Sequence, residues 1–374
     1  MDMLPNTPFL LLDQQKLEAN LDRMQQAANG KSVLLRPHLK TAKSLAVAEK
    51  AMARGAKGIT VSTLLEAEYF FDGGIADIIY AVGMTADKLD RAMDLVRRGA
   101  DLKIMTDNLV VAQAIADHGH RHGHCHKTLI ELDCGDHRAG LLPEDPDLPQ
   151  IAAMLESQGK GGFAGVLTHA GHSYGENTPA GIEKIANEES DCARRAVAMV
   201  TNAGFEPGIV SIGSTPTALA LGELDGVTEI RAGVYMFFDV DQMARGVCNI
   251  SDLALSVVST VIGHNRAAGK ILLDAGGLAL SKDRSADSNM AQAGYGLVCD
   301  LESGRRLDGL SVTAVSQEHG HVKVSDERDY VRLPIGAKIR ILPIHACMTA
   351  AAYPHYHVLH SGKLVALWER VNGW

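Results

Sequence analysis

Between residues 30 and 240 the chain repeats one alternation. A short β-branched apolar run is followed by a turn, then by a stretch whose apolar positions recur at helical spacing. The runs lie at 32–40 (SVLLRPHLK), 58–63, 77–82, 102–106, 128–133, 163–169, 209–213 and 228–231. Stretches such as SLAVAEKAMARG and DKLDRAMDLVRRG separate them, several closing on glycine, a usual helix stop. Strands alternating with helices predict right-handed βαβ units and a parallel sheet. Eight of them predict an α/β architecture: a closed (β/α)8 barrel of the TIM type. From about residue 245 the long helical patterns give way to two-residue alternation (LALSVVSTVIGH, GKILLDAG, AKIRILPIHA, KLVALWERV), which predicts an antiparallel β domain. Ser361-Gly362 between two such runs predicts a hairpin. The expected division is therefore a barrel over residues 11–242 and a β domain over 243–374, with residues 1–10 packed on the latter.

Composition narrows the function classes. The chain has 374 residues, 46% hydrophobic and 22% charged, which is ordinary for a globular protein. Its net charge of −9 argues against nucleic acid or a membrane surface as the main partner, while a small anionic ligand needs only a local site. No run approaches the roughly 18–20 apolar residues of a membrane span, and no secretory leader is visible. Six scattered cysteines read as reduced thiols in a cytoplasmic protein.

A barrel of this kind places its chemistry at the C-terminal ends of its strands. The first run ends in Arg36-Pro37-His38-Leu39-Lys40, the fifth leads into Asp133-Cys134-Gly135-Asp136-His137-Arg138, and the sixth ends in Thr168-His169 with Tyr174 just beyond. Lys40 closes an apolar strand, so its amine is expected at the barrel mouth, where a partly desolvated lysine can form a Schiff base. Lys43 is expected to open the following helix and face solvent. Gly213-Ser214-Thr215 and Ala232-Gly233-Val234 follow the seventh and eighth strands. That pair of loops often cradles phosphate in barrels; the plain alternative is two tight turns. Arg138 and Arg231 could hold an anionic oxygen or lean on a ring nitrogen, or simply pair with nearby carboxylates. In Pro343-Ile344-His345-Ala346-Cys347, strand alternation would point His345 and Cys347 at one side, an imidazole and a thiolate that suit zinc with open positions left over. The tract His118, His120, His122, His124 and His126 has the composition of a metal binder, yet its place before the fifth strand reads as a solvated loop away from the chemistry. Tyr235-Met236-Phe237-Phe238 reads as core.

Taken together, RPHLKTAKS, GITVSTLLEAEYF, ELDCGDHRAG, THAGHSY, SIGSTPTAL, DGVTEIRAGVYMFFD, QEHG, LPIHACMTA and WERVNGW resemble the D-serine dehydratase and D-threo-3-hydroxyaspartate dehydratase family. These are pyridoxal-phosphate enzymes with the alanine-racemase type of fold, and the resemblance runs through nearly the whole chain. It implies Lys40 as the Schiff-base residue and Gly213-Ser214-Thr215 with Gly233 and Val234 as the phosphate site. It implies Arg138, His169 and Arg231 around the cofactor ring, His38 also in the cofactor site, Tyr174 near the substrate, and His345 and Cys347 as metal ligands. Related D-threonine aldolases usually show His-x-Asp at the metal motif and often a GGGTGS-like loop. Departure from both favours the dehydratase branch.

The expected activity is loss of water from a D-β-hydroxy amino acid (D-serine, D-threonine or D-threo-3-hydroxyaspartate), giving a 2-keto acid and ammonia. Lys40 would take the α-proton, and a divalent metal, zinc or manganese, would assist departure of the β-hydroxyl. An aldolase giving glycine and an aldehyde is the alternative with nearly the same residues. A racemase would leave the metal motif unexplained. A non-catalytic cofactor-carrier barrel would need no C-terminal β domain. The family also implies a homodimer.

Overall fold

The computed structural model describes residues 4–222 and 224–374, folded as two compact units. Among the described residues, one comprises 22–222 and 224–233 with 373–374; the other, 4–21 with 234–372. No helix among the described residues is long and apolar enough to cross a membrane.

The second unit opens with β1 (Phe9–Asp13). The first unit carries β2 (Leu34–Leu35), β3 (Ile59–Val61), β4 (Asp77–Tyr80), β5 (Asp101–Thr106), β6 (Lys127–Leu132), β7 (Phe163–Thr168), β8 (Ile209–Ile212) and β9 (Glu229–Ile230). All eight runs expected from the sequence are thus present. They form one parallel sheet in the order β2-β9-β8-β7-β6-β5-β4-β3, with helices between successive strands. The sheet curls until its ends meet. His38 N–H donates to Ala232 O at 2.7 Å, while Leu39 N–H donates to Thr60 O at 2.8 Å, with a parallel bridge between His38 and Thr60. This seam corrects one expectation. The first run is not a continuous strand over 32–40; regular pairing stops at Leu35 because Pro37 has no N–H to give the ladder. The barrel interior includes a cluster of Ile79, Met105, Leu129 and Leu167 from successive strands.

The remainder of the second unit is β10 (Leu255–Asn265), β11 (Lys270–Leu273), β12 (Leu297–Asp300), β13 (Arg306–Val315), β14 (Gly320–Lys323), β15 (Lys338–Leu342), β16 (His355–His360) and β17 (Lys363–Glu369). Pairing runs β11-β14-β13-β12-β15-β10-β1-β16-β17, with β10 also paired to β11. It is antiparallel except for β1 beside β16, which is parallel. The expected hairpin is there: Ser361 and Gly362 both take positive φ (49° and 77°) between β16 and β17, the geometry of a type I′ turn. Tyr235, Met236, Phe237 and Phe238 are buried, as expected of core.

Candidate active site

In the barrel unit, the side chains singled out at the strand ends converge. Lys40 follows the seam directly and is exposed. Its backbone N–H points at His38 Nδ1 (3.4 Å). His38 and His169 are both held neutral. Loss of solvent pushes each imidazole down, and the positive charges of Lys40 and Arg231 push the same way, leaving His38 well below its ordinary value and His169 at about 3. His169 donates Nδ1–H to Gly213 O at 3.1 Å, which keeps Nε2 as a lone-pair acceptor. Arg231 is buried; it donates to Ser211 Oγ and to Thr168 O, each at 2.6 Å. Arg138 is exposed and leans on Glu131 at 3.5 Å, and burial raises the pKa of that carboxylate.

The loop after β8 is built for close backbone approach. Gly213 takes φ +118°, and a Cβ there would meet Arg231 O at 2.9 Å; a Cβ on Gly233 would meet His38 O at the same distance. Ser214 caps the short helix Thr215–Ala220 in a capping box with Thr217. Its hydroxyl therefore faces inward, to Ser173 Oγ (2.8 Å) and Thr217 Oγ1 (3.0 Å). Thr215 N–H points at Tyr174 Oη (3.4 Å), which brings Tyr174 to this loop. Val234 opens a short buried 3-10 turn, Val234–Met236.

Sequence reasoning missed the residue that organises the loop. Glu189 is wholly buried on the helix Pro179–Asn202. Its Oε1 accepts from Gly213 N and Ala170 N, each at 2.9 Å, and its Oε2 accepts from Thr217 Oγ1 at 2.8 Å. Burial raises its pKa against those three bonds. The one signal in the stretch IANEESDCARRAV is helical spacing, which puts this Glu on the buried stripe with Ile182, Ala186, Ala193 and Ala196 and leaves its neighbour Glu188 exposed. Lys43 corrects another expectation. It does not face solvent; its Nζ lies 3.1 Å from Oε1 of the buried Glu66.

In the β unit, His345 and Cys347 do come together, but not by strand alternation. β15 ends at Leu342, His345 is an extended N-cap, and Cys347 sits in the first turn of the helix Ala346–Ala350. His345 Nδ1 is 2.7 Å from Asp283 Oδ2. Burial alone would lower the His345 pKa; the Asp283 carboxylate and the Cys347 thiol outweigh it and raise it to about 11. Asp239, buried and pushed up to about 6 by that burial, fixes the turn by accepting from Ala346 N (2.9 Å) and Gln242 N (3.0 Å). Neither aspartate was legible in the sequence. An imidazole and a thiol side by side, the imidazole backed by a carboxylate, form a donor set suited to a zinc-like divalent ion.

The histidine tract is a further correction. It is not a solvated loop: His118, His120 and His122 lie on the helix Leu109–His122, and His118 and His126 are buried.

The alanine racemase N-terminal domain family matches residues 12–241, and the putative serine dehydratase domain matches 254–359. The chain belongs to the alanine racemase-like family. A D-threo-3-hydroxyaspartate dehydratase of Delftia sp. (strain HT23) is 45% identical over 99% of this chain and 98% of its own. The solved structure of D-threo-3-hydroxyaspartate dehydratase from Delftia sp. HT23 superposes with a TM-score of 0.94 at 44% identity, covering 99% of this chain and 98% of that one. A D-serine dehydratase of Dictyostelium discoideum is 31% identical over 96% and 95% of the two chains. The family is that of the fold type III pyridoxal-phosphate enzymes. The barrel's donor set fits that cofactor: a primary amine for an aldehyde, guanidinium groups for a ring nitrogen and anionic oxygens, and a glycine-lined helix start for a phosphate.

Proposed function

We propose that the protein is a pyridoxal-phosphate and divalent-metal dependent dehydratase acting on a D-β-hydroxy amino acid, with D-threo-3-hydroxyaspartate as the preferred substrate. The observation that carries the reading is the convergence of Lys40 with Arg231 and two neutral imidazoles at the mouth of the barrel. The 45% identity to the Delftia enzyme supports the substrate. When bound, pyridoxal phosphate supplies an electron sink for an acidified Cα–H, and a divalent metal supplies Lewis acidity toward a β-oxygen.

The residues then divide the work. Lys40 Nζ would be the group that holds the cofactor through its aldehyde, and as a free amine it would be the base for the α-proton. Arg231, fixed by Ser211 and Thr168, would offer its guanidinium to the cofactor ring and would disfavour a proton on a ring nitrogen beside it. His169 Nε2, a lone-pair acceptor because Nδ1–H is committed to Gly213 O, orients polar groups of the bound molecules. The backbone of Gly213, Ser214, Thr215, Gly233 and Val234 holds the phosphate, with Tyr174 against the same loop. His345 and Cys347 would hold the metal, and Asp283, which engages Nδ1, would leave Nε2 of the imidazole as its ligand atom. The substrate loses water, and the resulting enamine hydrolyses to a 2-keto acid and ammonia. We extend the reading to zinc as the metal and to a cytoplasmic homodimer, the latter checked by light scattering.

Borohydride reduction of the cofactor-loaded protein, followed by peptide mapping, should place the label on the peptide containing Lys40; a label elsewhere sinks the assignment. A panel of D-serine, D-threonine and D-threo-3-hydroxyaspartate should release ammonia and keto acid. Glycine and an aldehyde would make the protein an aldolase instead.

A further inference from the structure

The histidine tract belongs to no step of that chemistry. Asp90 lies in the first turn of the helix Leu89–Arg97; His118 and His122, spaced i, i+4, lie on the last turns of the helix Leu109–His122. That helix leads into the first residue of β6, so the cluster sits toward the N-terminal ends of the strands, whereas Lys40 and its partners follow the C-terminal ends. One ligand atom from each of the three residues lies within 4.8 Å of the others. His118 Nε2 is already 3.0 Å from Asp90 Oδ1. A tetrahedral ion about 2.1 Å from each donor needs donors roughly 3.4 Å apart, and His122 and Asp90 are exposed side chains with room to adjust.

Two features make this more than a surface coincidence. First, His118 is buried and its other ring nitrogen, Nδ1, is 2.9 Å from Nε2 of the buried His126. A ligating histidine almost always has its second nitrogen committed in this way, which fixes its ring. Second, the helix end is rigidly closed. Gly123 takes the left-handed conformation, and His124 N–H and Gly123 N–H bond back to Gly119 O (2.9 Å) and His120 O (3.4 Å), a Schellman cap. His122 therefore leaves the backbone at a fixed point, one turn from His118.

We propose that Asp90, His118 and His122 form a second divalent-cation site, distinct from the one at His345 and Cys347, which clasps the helices Leu89–Arg97 and Leu109–His122. Two imidazoles and one carboxylate select a borderline ion such as zinc, cobalt or nickel over magnesium or calcium, and the remaining positions fall to water. Its role is to stabilise the barrel's outer layer.

The test is cobalt(II) titration of the cofactor-loaded full chain, followed by absorption spectroscopy and equilibrium dialysis. Wild type should bind two equivalents, one showing thiolate-to-cobalt charge transfer and one lacking it. Asp90→Asn/His122→Gln, both at exposed positions, should lose the thiolate-free equivalent or weaken it at least tenfold while keeping the charge-transfer band and lyase turnover. His345→Ala/Cys347→Ala should do the reverse. Cobalt should raise the melting temperature of His345→Ala/Cys347→Ala and lose that effect when Asp90→Asn/His122→Gln is added. The proposal is overturned if wild type binds one equivalent only, or if Asp90→Asn/His122→Gln leaves cobalt stoichiometry and affinity unchanged.

Discussion

Glu189 offers the sharpest test of how the proposed phosphate loop is held. Replacing it with alanine strands two buried backbone donors, Gly213 N–H and Ala170 N–H, and removes the acceptor of the Thr217 hydroxyl. Each orphaned buried N–H costs about 1–3 kcal/mol. Deleting the side chain from a fully buried site adds a cavity cost of about 1–2 kcal/mol. The sum is about 5 kcal/mol. With a urea m-value of roughly 3–4 kcal/mol/M for a chain of this size, the unfolding midpoint should fall by about 1 M or more. Glu189→Gln keeps an acceptor for both N–H groups and disturbs only the Thr217 bond, so it should cost about 1–2 kcal/mol. Because Gly213 N–H fixes the loop proposed to receive the phosphate, affinity for pyridoxal phosphate should fall more than tenfold in the alanine variant and only a few-fold in the glutamine variant. Urea unfolding by circular dichroism and cofactor titration by absorbance read both quantities. If the two variants are equally damaged, negative charge rather than acceptor geometry holds the loop, and the argument is wrong. If neither is damaged, Glu189 does not hold it at all.

Stability should fall on mild acidification. His126 is buried, and loss of solvent holds its pKa near 3 against an ordinary 6.5. Its contribution is fully present above about pH 6.5 and is lost as pH falls toward 3, with a slope of up to about 1.4 kcal/mol per unit. Urea midpoints at pH 7, 6 and 5, taken with chelator present, should show at least that slope, to which His38 and His169 also contribute, and His126→Asn should make it shallower by about one proton's share; parallel slopes in the two proteins would refute the assignment. Asp283→Asn leaves His345 in place but removes the carboxylate 2.7 Å behind it. Metal affinity at the proposed His345 and Cys347 site should drop about 10–100-fold, measured by competition with a chromophoric chelator, and excess metal should restore turnover. Unchanged affinity would mean that Asp283 does not orient the ligand.

Much of the site could be read from the chain because a barrel converts sequence position into spatial position. Every residue at the end of an apolar run is delivered to one rim, so Lys40, His169, Gly213 and Arg231 could be grouped before any contact was known. Period-two alternation failed at His345 and Cys347 because the strand ends three residues earlier and a capped helical turn takes over. Helical spacing puts Glu189 on the buried stripe with Ala186 and Ala193, but its three donors lie 19, 24 and 28 residues away, so its role was not legible locally. Asp239 and Asp283 lie about 106 and 62 residues from His345, distances at which no local pattern operates. The histidine tract misled for the opposite reason: a composition that suggests a loop was overridden by an amphipathic helix with a proper glycine stop.

The barrel interior explains why the rim is so well defined. Arg231 Nη1 donates to Ser211 Oγ, which donates to Glu229 Oε1 at 2.6 Å; Glu229 Oε2 accepts from Arg36 Nε at 2.8 Å. Arg36 grips Asp77 with both terminal nitrogens, and Asp77 shares Lys103 with Asp101. Arg36, Glu229 and Lys103 are all nearly inaccessible. Buried charges of this kind add little net stability when complete, but removing one partner costs about 3–5 kcal/mol, because the other is left uncompensated. The arrangement therefore acts on specificity of position more than on stability. It ties the closing seam, of which Arg36 is the first residue and Lys40 the immediate successor, to the strand that carries Arg231. The Lys40 amine and the Arg231 guanidinium, which are proposed to address one cofactor ring, are thus held from a single alternating row of charges, and a slip of the seam by one residue would break that row at Arg36 as it displaced Lys40.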